Sequence, residues 1–202
     1  MTERSALKEA AKKQINGNLL QMFLCYVVIF AISLICASIP DVGPVISILL
    51  TPALTLGMAG VYLDVTKGKK ASLKNLFKGF QFFGKALWLY VLISVFTMLW
   101  SFLFIIPGIV KSLSYSMAFY ILAENPEMTA REALNESKKI TQGHKMDLCV
   151  LEFSFLPWIL FTGITFGIAG IYVMPYMACT YINFYHKIKV KSEYCRPNYE
   201  EI

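Results

Sequence analysis

The stretch Pro107-Gly-Ile-Val-Lys111-Ser-Leu-Ser-Tyr115-Ser-Met-Ala-Phe-Tyr-Ile-Leu-Ala123 decides how this chain is organised. It is apolar but short, and it carries a lysine. Counted as a membrane crossing it gives six spans; left out, it gives five. The residues that follow it settle the matter. Arg131, Lys138, Lys139 and Lys145 come next, and without a crossing at 107–123 they would lie on the side opposite the other basic clusters. Short loops of membrane proteins concentrate Lys and Arg on the cytoplasmic side. The segment therefore crosses.

Working outward, five further apolar runs cover 19–37, 44–63, 86–106, 146–164 and 168–187. At 1.5 Å per residue most reach about 25–30 Å, the thickness of a hydrocarbon core. The segments 1–18, 64–85, 124–145 and the part from 187 hold eighteen of the nineteen Lys and Arg. The turns 38–43 and 165–167 and the Pro107-Gly108 corner hold none. This pattern predicts an all-α, six-helix transmembrane bundle in the plasma membrane, with both termini in the cytoplasm. Residues 1–190 are read as one integral membrane domain and 191–202 as a short cytoplasmic tail. The run 19–37 is longer than the apolar core of a signal peptide and lacks a small-x-small cleavage site, so it is expected to stay as a span.

Composition agrees. Of 202 residues, 56% are hydrophobic and 16% charged, and the mean hydropathy is +0.55. The net charge of +6 reads as orientation and contact with anionic headgroups, with no nucleic-acid partner. The five cysteines form no CxxC pair and there are two histidines, so neither a zinc site, nor any other metal, nor a disulfide framework is expected. No cofactor is implied. The chain has no GxxxxGK[ST], HExxH or GxSxG signature, and loops near twenty residues are too short for a catalytic domain. A non-enzymatic protein is expected.

Ahead of each odd-numbered span lies an amphipathic segment that closes on a glycine. Leu7, Ala10, Ala11 and Ile15 make the first apolar stripe. Leu73, Leu76, Phe77 and Phe80 make the second, after Ser72 as N-cap. The third, Ala130, Ala133, Leu134 and Ser137, is weak but begins at Thr129 with Glu132 three residues on, a capping box. The breaks fall at Gly17, Gly84 and Gly143. This reads as three cytoplasmic interfacial helices, each followed by a helical hairpin, in three irregular repeats. The alternative is ordinary juxtamembrane basic helices without common ancestry.

Three stretches carry a resemblance: Ile105–Pro126, Ala133–Lys145, and Pro175-Tyr176 followed by Asn183-Phe-Tyr185. Together they resemble the domain-of-unknown-function 975 family of bacterial integral membrane proteins, over nearly the whole chain. More distantly, they are similar to the membrane domain fused to some bacterial glycerophosphodiester phosphodiesterases. The resemblance implies six spans in a bacterial plasma membrane and brings no catalytic residues.

Ionisable groups inside a bilayer are costly, so each marks a candidate site. Glu152 lies about 9 Å into the fifth span and Asn183 roughly 6 Å from the inner end of the sixth. A protonated Glu152 donating to Asn183 would satisfy both, as a structural bond or as a proton-coupling carboxyl. Lys111 lies about 6 Å below the outer surface. It shares a face with Tyr115, and Ser112 shares the next with Ser116. Either Lys111 snorkels outward, or it turns inward to carbonyls that Pro52 and Pro175 free at Ile48 and Ile171. Pro157, inside the fifth span, lies at a similar depth.

Two functional readings follow. The first is a scaffold at the cytoplasmic membrane face that interacts with membrane lipids, including anionic headgroups, or with a protein partner. The second is a small-molecule or lipid transporter with its site near Lys111 and the proline-broken helices.

Overall fold

The computed structural model describes residues 3–103, 105–165 and 167–194. The tail from 195 on lies outside them. The described residues are helical, with no strand among them: α1 (Glu3–Asn16), α2 (Leu19–Ala37), α3 (Gly43–Thr66), α4 (Leu73–Lys78), a 3₁₀ turn (Gly79–Phe82), α5 (Phe83–Leu103), α6 (Ile105–Tyr115), α7 (Ala118–Glu124), α8 (Ala130–Thr141), α9 (Lys145–Phe153), α10 (Leu156–Ile164) and α11 (Gly170–Tyr194).

Four stretches are long and apolar enough to cross a membrane: Leu19–Ala37, Gly43–Thr66, Leu73–Trp100 and Lys145–Ile164. The segment 107–123 is divided between α6 and α7. Around the break, Ser114 donates to the Val110 carbonyl and Ser116 to the Leu113 carbonyl. The run 168–187 becomes most of α11, whose second half is interrupted by Asn183, His186, Lys187 and Lys189.

Pro52 and Pro175 lie inside α3 and α11 as expected. Pro157 does not lie inside a helix. The fifth run breaks at Ser154-Phe155, and Pro157 sits in the first turn of α10, where a missing N–H costs nothing. Gly17 and Gly143 fall at helix breaks, Gly143 with φ +83°. Gly84, by contrast, is inside α5, because the 3₁₀ turn carries the chain straight from α4 into it.

The molecule has two tiers. At the end bearing the basic segments, side chains are buried: Met22 and Cys25, most of 52–65, Leu76, Ala86 and Leu89, most of 113–122, and the inner face of α8. At the other end, Phe30, Ile35, Val45, Ile48, Met98, Leu160 and Ile164 are exposed on every side.

Short helices fill the basic tier. α1 packs along α11, α4 along α3, and α8 along α5, α6 and α7. Each lies against the second helix of the hairpin before it, with α1 closing on the last. Expected with their stripes in lipid, two of the three have them covered by protein. Ala11 and Ile15 of α1, and Ala133, Leu134 and Ile140 of α8, are buried. A stripe that finds apolar protein has no need of lipid. The α8 cap forms as read: Thr129 N–H donates to Glu132 at 2.8 Å and Glu132 N–H to the Thr129 hydroxyl at 3.3 Å.

Two glycines permit the α3–α4 contact. A Cβ on Gly57 would collide with the Leu76 carbonyl, and one on Gly79 with the Ala53 carbonyl. The backbones touch with no side chain between them.

Candidate functional site

Polar side chains in the basic tier are organised around Glu124, the last residue of α7. Its carboxylate accepts from the Tyr185 hydroxyl at 2.7 Å, Lys189 Nζ at 2.8 Å and Lys67 Nζ at 2.9 Å. α3, α7 and α11 are thereby tied at one point. Burial pushes the Glu124 carboxyl up, but the bonds from Lys189, Tyr185 and Lys67 outweigh it and hold it at about 2. Glu124 is ionised at any physiological pH.

Beside it, a cleft of about 270 Å³ opens between α3, α4 and α7, with Asp64, Lys67, Asn75, Lys78 and Glu124 in its wall. Asn75 donates to Asp64, and Lys69 lies 3.7 Å from the same carboxylate. With Lys67 on Glu124, most charges in this cleft already have partners.

A second cavity, about 350 Å³, separates α2 and α3 from the α6–α7 break. Ser33, Thr51, Thr55 and Ser116 line it, yet each donates to a carbonyl of its own helix. Its wall is therefore largely apolar. The polar exceptions are tyrosines: the Tyr26 and Tyr62 hydroxyls bond each other, and Tyr120 stands beside them.

The predicted site residues do not converge. Asn183 exchanges hydrogen bonds with Gln14 of α1, at 3.0 and 3.2 Å, and donates to the Leu7 carbonyl at 3.4 Å. Glu152 is not its partner; it is exposed on α9 and unbonded among the described residues. Lys111 places its ammonium 4.7 Å from the Trp100 ring centroid rather than on the Ile48 or Ile171 carbonyl. Tyr115 is buried with its ring 6.3 Å from that of Phe96. Ser112 is exposed, and Ser116 borders the second cavity. Lys111 and Tyr115 lie along one aromatic strip with Phe96, Trp100 and Lys138; the other four predicted residues, Ser112, Ser116, Glu152 and Asn183, lie apart from it.

Sequence reasoning missed Glu124 and Gln14. A signal existed for the helices they bind. Met58-Ala-Gly-Val-Tyr-Leu-Asp64 in α3 and Met177-Ala-Cys-Thr-Tyr-Ile-Asn183 in α11 share Met-Ala-x-x-Tyr, then Leu or Ile, then Asp or Asn. In both, the final polar residue bonds an amphipathic helix: Asp64 to Asn75 of α4, Asn183 to Gln14 of α1.

A family model described as protein of unknown function (DUF975) matches residues 1–114 and 103–192. The chain belongs to this family. No curated protein and no solved structure matches it, and the fusion to glycerophosphodiester phosphodiesterases is not shown. In this DUF975 chain the matched segments meet over 103–114, within and just before α6, where Lys111 lies.

Proposed function

We propose that this chain is a six-span plasma-membrane protein, termini inside, that works without catalysis by holding anionic lipid headgroups or a protein partner at its cytoplasmic face. The broken α6–α7 and the long α11 complete the count begun by the four apolar stretches. The Met-Ala-x-x-Tyr motif shared by α3 and α11 supports a relation between two units, and the packing of α4, α8 and α1 on α3, α7 and α11 supports a third. Cysteines introduced at Ile39 and Ile168, in a background without the native ones, should react with an impermeant reagent from outside intact cells. Cysteines at Lys69 and Glu127 should stay unlabelled. Labelling at Glu127 from outside would end the six-span reading.

The observation that carries the lipid reading is on α4. Leu76 is fully buried against α3, whereas Leu73 is 39% and Phe77 48% exposed one turn apart. Lys69, Lys70, Lys74 and Lys78 are exposed around them. Apolar side chains ringed by lysines suit the headgroup layer of an anionic leaflet. At about 1 kcal/mol per lysine near such a surface, amide exchange across 69–83 should slow by at least tenfold in nanodiscs containing phosphatidylglycerol, compared with phosphatidylcholine alone. Equal exchange in both would overturn this reading.

The second cavity supports a transport reading, since Thr51 and Thr55 in its wall flank Pro52 inside α3. Vesicles carrying the protein and a head-labelled phospholipid would then lose the inner-leaflet signal to dithionite. Protection of that leaflet would exclude lipid as the cargo.

A further inference from the structure

Lys138 lies on α8, and α8 is pinned to α6 beside it. The Ser137 hydroxyl donates to the buried Ser114 carbonyl at 2.8 Å, and Thr141 reaches the same carbonyl at 3.5 Å. This fixes the Lys138 ammonium 5.5 Å from the Phe96 ring centroid and 5.4 Å from that of Tyr115. Phe96 and Trp100 are one turn apart on α5, and Lys111 lies over Trp100. Two lysines from segments 27 positions apart in sequence are thus held along one aromatic strip.

Neither ammonium has a carboxylate within 4.0 Å among the described residues. Lys138 donates to Asn135 Oδ1 at 3.4 Å, and no hydrogen bond of Lys111 to a described residue is found. Burial first, then Lys111 and Arg131, make the Lys138 ammonium easier to deprotonate. A ring face attracts a cation but supplies no counter-charge. Along α5, Phe96 lies eleven residues beyond Lys85, about 16 Å into the bundle. Two cations so placed call for an anion.

The flanks indicate which anion. Val95 and Leu99 beside the strip are 54% and 63% exposed, an apolar surface suited to acyl chains. We propose that the groove between α5, α6 and α8 binds the phosphate of one anionic phospholipid, bridged by Lys111 and Lys138, with its acyl chains along Val95 and Leu99. A soluble phosphate would leave those apolar flanks without a role. This site is separate from the α4 surface and stands or falls without it.

Native mass spectrometry of the full chain tests it, with phosphatidylglycerol, phosphatidylcholine and inorganic phosphate as probes. Wild type should retain one phosphatidylglycerol. Lys111→Gln with Lys138→Gln should weaken that binding at least tenfold, while Lys111→Arg with Lys138→Arg should keep it. Lys74→Gln with Lys78→Gln, which alters only α4, should leave this one lipid bound. Undiminished binding in the double glutamine variant overturns the proposal. So does displacement by inorganic phosphate at the concentrations where phosphatidylglycerol competes, which would assign the groove to a soluble anion. Should the glutamine variant fail to fold, brominated lipids give the answer with both lysines intact. With Trp88 and Trp158 replaced by Phe, brominated phosphatidylglycerol should quench Trp100 at a lower mole fraction than brominated phosphatidylcholine. Equal quenching overturns the proposal.

Discussion

The same apolar alphabet builds two unlike halves of this molecule. In the basic tier, leucines and alanines face one another, short helices plug the gaps, and polar groups are paired across helices. In the other tier, equally apolar side chains face outward, and Ser33, Thr51, Thr55 and Thr162 bond only their own helices. The difference teaches where the fold is held together. Burial against lipid gives a helix no particular neighbour, because hydrocarbon is as apolar as leucine. Interhelical hydrogen bonds do choose a neighbour, and among the described residues they are concentrated at one end.

Substitutions should separate the tiers sharply. Gly57→Val drives a side chain into the Leu76 carbonyl and should cost about 3 kcal/mol or more, read as loss of the folded protein in detergent. Gly60→Ala, with open space around it, is the control. Leu76→Ala, fully buried, should cost about 2–5 kcal/mol. Equal melting of Leu76→Ala and Leu160→Ala would erase the distinction.

Glu124→Gln comes next, at about 2 kcal/mol, since its bonds are charge-assisted. Its pH dependence has a definite sign. The folded carboxyl titrates at about 2, below the 4.5 of a free glutamate. Its contribution is therefore complete above about pH 4.5 and is lost as pH falls toward 2. Melting curves of the wild type should show that acid loss, and Glu124→Gln should flatten it. A variant as acid-sensitive as the wild type would move the effect elsewhere.

A smaller loss, about 1 kcal/mol, is expected for Asn183→Leu, which ends the exchange with Gln14. Amide exchange should quicken in α1 alone. At the far end, Leu160→Ala should change stability by less than about 0.5 kcal/mol, because Leu160 is exposed.

The apolar runs were legible because a hydrocarbon core imposes a length, and length can be read from sequence. Their neighbours were not. An amphipathic stripe such as Ala130, Ala133 and Leu134 announces an apolar face but not whether lipid or protein covers it. Asn183 announced a need for a partner, and depth alone suggested Glu152. The true one, Gln14, lies 169 positions away in sequence, at a distance no local pattern reports. Lys111 was conspicuous for its charge inside an apolar run, whereas Lys138 counted only among the basic residues after it, because no local pattern reports that α8 folds against α6.

The bond between Gln14 and Asn183 also bears on biogenesis. Asn183 is synthesised 169 residues after Gln14. At about 5–20 residues per second, α1 waits roughly 10–30 s for its partner. Through that interval Ala11 and Ile15, buried in the finished protein, need another cover. The membrane surface can supply one, since α1 alone is a basic amphipathic helix. A surface helix at birth thus becomes a seam at maturity, and an amino-terminal fusion that held it down should delay the docking of α1 onto α11.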